Sequence, residues 1–389
     1  MSDDLKNTMQ ESIVDVIDEF DYATQNESYN EKFRKWRKKR DNPFAFSFAE
    51  NKKESVYIDG RGFIAKSAVD AEKKVLADIF YYIGLASLIW IVLDNVISKV
   101  VISVFDLCGV NIHNNYFSSV IYGGSKEIVI TIIIMTLVKI IVPLLFLHFR
   151  FRLPAKVEFM GSMNNPMALM GAISMALIIC TAISVPVAYT SESKEIYEFF
   201  KNIQTDVSVW DSQEFIVYTV FDIIIISIVS EIFFRGAVFA VLRQFGDVFA
   251  IAVTSVMTML LSQDLQTMPA GLLIALVASY GMLASGTMFT SIAVVIVYKM
   301  YRLALTIIEI DSSDKMPLTR NMFMIITLVA GGTGLLIYWI YMIKAKKHGL
   351  SFYKSELTDG MRFLYSIRIF PFSAVVLLCI ASAVVKAVL

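Results

Sequence analysis

The sequence predicts an all-α integral membrane protein, a polytopic bundle of eight or nine transmembrane helices. Of its 389 residues, 56% are hydrophobic and only 18% are charged. The mean hydropathy is +0.62, which is higher than a soluble core and surface require. A net charge of zero gives no electrostatic signal for a nucleic-acid partner. We therefore expect membrane lipids as the surroundings of this chain.

Apolar segments of about 20 residues, the length that crosses a bilayer, recur along the chain. They predict a polar tail at 1–77 and a transmembrane domain at 78–389. The 269–285 segment is at the short limit and is rich in Gly, Ala and Ser, which suits a helix buried among its neighbours. The nine predicted spans are 79–105, 127–149, 166–190, 214–245, 248–265, 269–285, 288–310, 321–343 and 369–388.

Basic residues in the loops predict the orientation in the membrane. They follow the second and fourth predicted spans and precede the last one, whereas the loops at 106–126, 191–213 and 311–320 have few or balanced charges. We expect the N-terminus to be cytoplasmic and the C-terminus external. The basic residues are Arg150, Arg152, Lys156, Arg243, Lys344, Lys346, Lys347, Lys354, Arg362 and Arg368.

Two polar segments outside the spans have alternative interpretations. The basic run 32–40 either binds anionic lipid, with Phe33 and Trp36 in the headgroup layer, or is a solvated segment that marks the cytoplasmic side. An acidic amphipathic segment from Ile13 to Phe20 precedes it and predicts a short helix. The acidic loop at 191–213 is either solvated surface or an accessory specificity element.

Ionisable residues inside predicted spans are costly and indicate function. The most informative are Glu231 and Arg235, because their i,i+4 spacing places them on one helix face, where they can neutralise each other. They lie in the sequence Ser-Glu-Ile-Phe-Phe-Arg-Gly at 230–236. The other candidates are Asp94, Lys99, Lys139, Asp222, Lys299, Arg302 and Glu309.

A chain reversal near Gly246 would bring Glu231 and Ser262 to one depth, since they lie 15 and 16 residues from it. Thr254 and Thr258 precede Ser262 at four-residue intervals, so three hydroxyl groups share a helix face. This stripe either lines a polar cavity facing Glu231 or serves helix packing.

These residues resemble the CPBP family of CAAX proteases and bacteriocin-processing enzymes, also called the Abi family. The family pattern is Glu-Glu-x-x-x-Arg, then Phe-x-x-x-His, then His-x-x-x-Asn, and the resemblance covers about 214–302. It implies an intramembrane metalloprotease in which glutamates and histidines activate a water with the help of a metal.

The sequence departs from that pattern at the positions that carry its chemistry. Ser230 replaces the first glutamate, Ser262 and Val295 replace the two histidines, and Lys299 replaces the amide. We therefore expect no metal and no other cofactor, with zinc only if the chain is a working protease. His113, His148 and His348 lie outside the motifs, and the three cysteines are far apart, so neither set suggests a metal site or disulfides.

A charge argument suggests what replaces the metal. With Lys299 at the position of a neutral amide, we expect it to join Arg235 in an ion-pair cluster with Glu231. The alternatives are that Lys299 reaches the interface, that Arg235 is only a structural brace, or that Ser262 and Lys299 form a catalytic dyad.

Three functions follow from the sequence. The first is a non-catalytic family member that binds a membrane protein or a lipidated peptide. The second is an unorthodox CAAX-type or leader-peptide endopeptidase. The third is a transporter or channel, suggested by the charges within the spans, although no repeat symmetry supports it.

Overall fold

The structure is a computed structural model that describes residues 25–39, 42–45, 56–58, 62–65, 68–114, 121–184, 212–265, 267–310, 316–345 and 357–388. Nearly all of these residues are helical, and four short strands form two antiparallel hairpins, β1–β2 and β3–β4. The predicted helix at 13–20, most of the acidic loop at 191–213 and His348 lie outside the described residues.

The elements before the central region are α1 (Glu27–Lys38), β1 (Val56–Ile58), β2 (Gly62–Ala65), α2 (68–107), β3 (Ile112–Asn114), β4 (Ile121–Gly123), α3 (Ser125–Phe151), α4 (Ala155–Glu158) and α5 (Pro166–Ser184). Those from the central region onward are α6 (212–245), α7 (Asp247–Leu261), α8 (Met268–Ser285), α9 (Met288–Ile310), α10 (Met316–Ala345), α11 (Asp359–Ile367) and α12 (Phe370–Val388).

Seven described helices are long and apolar enough to cross a membrane, and α11 with α12, bent by 81°, raises the number to eight. A polytopic α-helical membrane protein is therefore confirmed, and the described residues contain seven or eight of the eight or nine predicted spans. The predicted span at 248–265 is not among them, because α7 has only 15 residues. At 1.5 Å per residue it is about 22 Å long, short of the roughly 30 Å hydrocarbon layer.

Helix α8, the weakest predicted span, is a regular helix in the interior of the bundle. It has the most buried of the seven spanning windows, with 61% of the residues covered by protein, against 11% for α10. Small residues permit this, since a Cβ on Gly281 would lie 2.6 Å from the Cβ of Ala172 on α5. The prediction that this segment packs among neighbours is confirmed.

The N-terminal helix α1 packs against the bundle. Tyr29, Phe33 and Trp36 are buried in the main hydrophobic core, and the Trp36 indole donates a hydrogen bond of 2.9 Å to the Phe151 carbonyl. The interpretation that Phe33 and Trp36 enter the headgroup layer is therefore wrong, because protein surface already buries both rings. Lys35 is exposed on the opposite face.

The reversal between α6 and α7 occurs at Gly246, whose φ of 110° favours glycine. Arg243 and Asp247 flank it with a fully buried ion pair of 2.8 Å. Two distant segments meet this turn: the Tyr29 hydroxyl accepts a hydrogen bond from Arg243, and Arg362 of α11 donates one to the Phe245 carbonyl.

Candidate functional site

Helix α6 carries the central residues on an irregular backbone. It is π-helical over Phe221–Ile226 and again over Ile232–Phe239, and a five-residue α-helical stretch, Ser227–Glu231, separates the two. π-Helical turns are rare in proteins, but those that occur are often found at functional sites. Asp222 lies in the first π-helical stretch and Arg235 in the second, so both charged side chains start from widened turns.

Glu231 and Arg235 form the predicted ion pair inside the bundle. The distance from Arg235 Nη1 to Glu231 Oε1 is 2.8 Å, and the two side chains are 2% and 1% exposed. Arg235 Nη2 also donates a hydrogen bond of 3.1 Å to the Ala275 carbonyl on α8. Arg235 therefore neutralises the carboxylate and links α6 to α8.

The pair leaves two buried polar atoms unused. Within the part of the chain that the structure describes, Glu231 Oε2 and Arg235 Nε have no hydrogen-bond partner. A buried polar atom without a partner costs about 1–3 kcal/mol. The Ser291 hydroxyl of α9, which donates to the Met288 carbonyl, is near enough to interact with this carboxylate as well.

Lys299 takes a different partner from the one that we expected. Its Nζ lies 2.8 Å from Asp222 Oδ1 and 2.8 Å from the Asp222 carbonyl oxygen, and it forms no ion pair with Glu231. Asp222 is on the same helix as Glu231, and it faces α9, which carries Lys299. It therefore offers Lys299 both a carboxylate and a backbone carbonyl.

The hydroxyl groups of the predicted stripe bond to their own helix. Thr254 donates to the Ala250 carbonyl, Thr258 to the Thr254 carbonyl, and the exposed Ser262 to the Met259 carbonyl. None of these bonds reaches Glu231, so the contacts favour helix packing over a hydroxyl-lined cavity. The other two motif positions add no such bond to Glu231: Ser230 donates to the Ser227 carbonyl, and Val295 is a partly buried aliphatic residue.

The region that contains Glu231, Arg235 and Lys299 matches a known protein family. Residues 212–301 match the family model Rce1-like, described as type II CAAX prenyl endopeptidase Rce1-like. We call residues 212–301, which are similar to this family, the CPBP-type core. The resemblance drawn from the motifs is thereby confirmed over about a quarter of the chain, and Glu231, Arg235, Val295 and Lys299 all lie within the match. No curated protein and no solved structure matches the chain significantly.

A second polar cluster adjoins the CPBP-type core; its two charged residues are among the predicted candidates, but the sequence does not predict that they pair. Lys139 of α3 lies 2.8 Å from Asp94 of α2, and the side chains are 23% and 28% exposed. Asn95 donates to Gln263 at 2.7 Å, which ties this cluster to the end of α7. The Trp90 ring connects it to the core, because it packs on Phe233 at 5.2 Å between ring centroids.

A third pair, His148 and Glu158, lies between α3 and α4. His148 Nδ1 is 2.9 Å from both carboxylate oxygens of Glu158. Burial raises the pKa of Glu158, and the His148 contact partly opposes that shift. A Cβ on Gly236 would lie 3.3 Å from the Glu158 carbonyl, so this glycine lets α4 approach the core. The spacing of ten residues between His148 and Glu158 gave no sequence signal.

The donor set around Glu231 does not fit a catalytic zinc ion, which takes about three protein ligands and a water. Among the described residues, no three His, Cys, Asp or Glu side chains are grouped so that they could hold a metal. His113 pairs with Asp106 at 2.9 Å, and His148 is held by Glu158. Glu231 has the Arg235 guanidinium beside it.

Proposed function

We propose that this protein is a non-catalytic relative of the CAAX proteases that binds a membrane protein or a lipid-linked partner. One observation supports this most directly. Glu231, the carboxylate that remains of the family motif, is held by Arg235, and among the described residues it belongs to no group of three or more side chains that could hold a metal.

Peptide hydrolysis in such a site requires a base that can take a proton from water and a cation that polarises the carbonyl group. The motif positions provide a serine, a valine and a second serine in place of the groups that would do this. Lys299 cannot serve as the base of a dyad with Ser262 in this arrangement, because it donates to Asp222 and Ser262 bonds to its own helix. Recognition is the role that these residues still support.

The test is to purify the intact protein, measure its metal content, and assay cleavage of prenylated and leader-bearing peptides. We expect no stoichiometric zinc and the same background cleavage for the wild type and Glu231→Gln. Bound zinc together with cleavage that Glu231→Gln abolishes would establish the endopeptidase instead. Co-purification with the full chain would identify a partner, and a chain lacking residues 1–24 would test the tail while keeping α1, which packs in the core.

The alternative of a transporter is motivated by the charges within the spans, and among the described residues three carboxylates there form ion pairs: Asp94–Lys139, Asp222–Lys299 and Glu231–Arg235. Each carboxylate is already neutralised within the protein, which favours a static role. Ion flux in liposomes that disappears in Asp222→Asn would favour transport over binding.

We also propose that the N-terminus is cytoplasmic and the C-terminus external. Support comes from the contacts of α1 with Phe151 and Arg243 and of α11 with Phe245, because all three positions adjoin loops that are rich in basic residues. The Met288 amide donates to the Met160 carbonyl, so α7 and α8 together return the chain to the same end of the bundle. The short α7 therefore leaves the proposed orientation unchanged.

A further inference from the structure

A groove runs between α6 and α9 within the CPBP-type core. Its volume is about 580 Å³, and its lining is apolar throughout, with Val220 and Ile223 on one helix and Met300 and Ala304 on the other. The Asp222–Lys299 ion pair adjoins it in sequence, since Asp222 stands between Val220 and Ile223 and Lys299 precedes Met300.

Lys299 lies at the middle of a helix that is long and apolar enough to cross the membrane. Lys299 is the central residue of Met288–Ile310, with 11 residues on either side of it. Asp222 is 35% exposed and Lys299 22% exposed, so protein covers the pair only in part. Hydrocarbon offers no hydrogen bonds, and charged groups at the bilayer centre normally face protein or water.

The pair also has unused hydrogen-bonding capacity. An ammonium group has three donors. Among the described residues, Lys299 uses two of them, both on Asp222, and Asp222 Oδ2 accepts no hydrogen bond. A side-chain carboxamide would satisfy both groups, because its oxygen accepts from the ammonium and its NH₂ donates to the carboxylate.

We propose that the groove is the docking site of a transmembrane helix with a carboxamide side chain, Asn or Gln, at its centre. The apolar lining receives the helix, the small Ala304 allows close approach, and the carboxamide meets the Asp222–Lys299 pair. A lipid acyl chain fits the lining but provides no group for the ion pair, which is why a helix is the better occupant. This inference rests on the proposed binding function and names its site and partner class.

The experiment uses the full-length protein in liposomes with a fluorescent donor attached. The probes are two synthetic leucine-rich transmembrane helices carrying an acceptor, identical except for a central Asn or a central Leu. We expect energy transfer to show roughly three- to tenfold tighter association for the Asn helix, the range that one or two hydrogen bonds between helices give in membranes.

Two variants test the site independently. Asp222→Leu with Lys299→Leu removes both charges together, and we expect it to abolish the advantage of the Asn helix. Ala304→Trp fills the groove with the ion pair intact, and we expect it to weaken binding of both helices. The matched control, Asp94→Leu with Lys139→Leu, removes the other mid-span pair and should leave association unchanged.

Equal association of the Asn and Leu helices would overturn the proposal. If Ala304→Trp then weakened the binding of both helices, the groove would be a site for apolar chains such as lipid tails. An Asn preference that survives in Asp222→Leu/Lys299→Leu would also contradict it. Failure of this site leaves the proposed function standing, because that function is tested separately by zinc content and Glu231-dependent cleavage.

Discussion

At the scale of single residues, the Glu231–Arg235 pair makes a prediction about stability. Removing one member of a buried ion pair costs about 3–5 kcal/mol, because the other charge stays buried alone, whereas replacing both by apolar groups is often nearly neutral. We expect Arg235→Met to destabilise the protein by about 3 kcal/mol. The double variant Glu231→Leu/Arg235→Met should be the more stable of the two, although it carries one more substitution.

Thermal unfolding in detergent would measure this difference. The link from Arg235 to the Ala275 carbonyl is lost in both variants, so it cancels in the comparison. A double variant that is less stable than Arg235→Met would show that Glu231 contributes through another contact, and the account of the pair given above would be wrong.

Glu158 makes a prediction about pH, because burial raises its pKa above the ordinary value of 4.5. The folded state then binds the proton more tightly than the unfolded state, so the contribution of Glu158 to stability is complete below its unfolded pKa and declines as pH rises through its folded pKa. We expect the stability of wild type relative to Glu158→Gln to fall as pH rises from about 4 to about 7.

Unfolding midpoints measured across that pH range, with Glu31→Gln as the control, would check the sign. The exposed Glu31 has its pKa lowered by the hydrogen bond from Lys35, so its small effect should run in the opposite direction, increasing with pH. A relative stability of wild type and Glu158→Gln that does not change with pH would contradict the assignment.

The residues of the candidate site were predictable only where the interaction is local. The i,i+4 spacing was sufficient for Glu231 and Arg235, because a helix fixes which side chains meet. Lys299 was paired with the wrong carboxylate, since Asp222 and Glu231 are both on α6 and only the packing of α9 decides between them. Asp94 and Lys139 are 45 residues apart, and nothing in the sequence joins them.

At the scale of elements, the contact between α5 and α10 depends on two adjacent glycines that differ in their surroundings. A Cβ on Gly331 would lie 2.9 Å from the Ser174 carbonyl oxygen, whereas one on Gly332 would meet nothing within 4 Å. We expect Gly331→Ala to push the helices apart and to cost about 1–3 kcal/mol. Gly332→Ala should be neutral or stabilise by up to about 1 kcal/mol, because alanine is the better helix former.

This matched pair separates packing from helix propensity, since both substitutions are the same and lie in one helix. The measurement is the unfolding midpoint of each variant in the same detergent. Equal effects of the two substitutions would mean that α10 does not approach α5 as closely as the structure has it.

Hydropathy predicted the long apolar helices well, but it failed where the length of a helix decides whether it can span the membrane. The predicted span 248–265 reached its length only by including Ser262, Gln263 and Asp264, which are polar and lie beyond the end of α7 at Leu261. Counting apolar residues could not show that α1 belongs to the bundle. Its Phe33 and Trp36 are too few for a hydropathy signal, and their burial depends on partners far along the chain, such as Phe151.

At the scale of the whole molecule, contacts between distant segments surround the turn between α6 and α7. Arg362 of α11 bonds to Glu72 at 2.6 Å, and Gln244 donates to the Phe44 carbonyl. Segments that precede and follow the CPBP-type core in the sequence thus pack against the same end of it. The contacts fix α6, so the groove lined by α6 and α9 keeps its shape, as the proposed binding function requires.

The orientation of the molecule can be tested with its natural cysteines. Cys108, just after α2, is exposed, whereas Cys180 and Cys379 are buried. Since the loop that begins at Cys108 is external in the proposed orientation, a membrane-impermeant maleimide should label intact cells at this thiol. Cys108→Ser should abolish that labelling. In the Cys108→Ser background, Lys35→Cys on the exposed face of α1 should react only after the cells are permeabilised. Reversed accessibility of the two sites would place the N-terminus outside. The basic loops would then also be external, contrary to the proposed orientation.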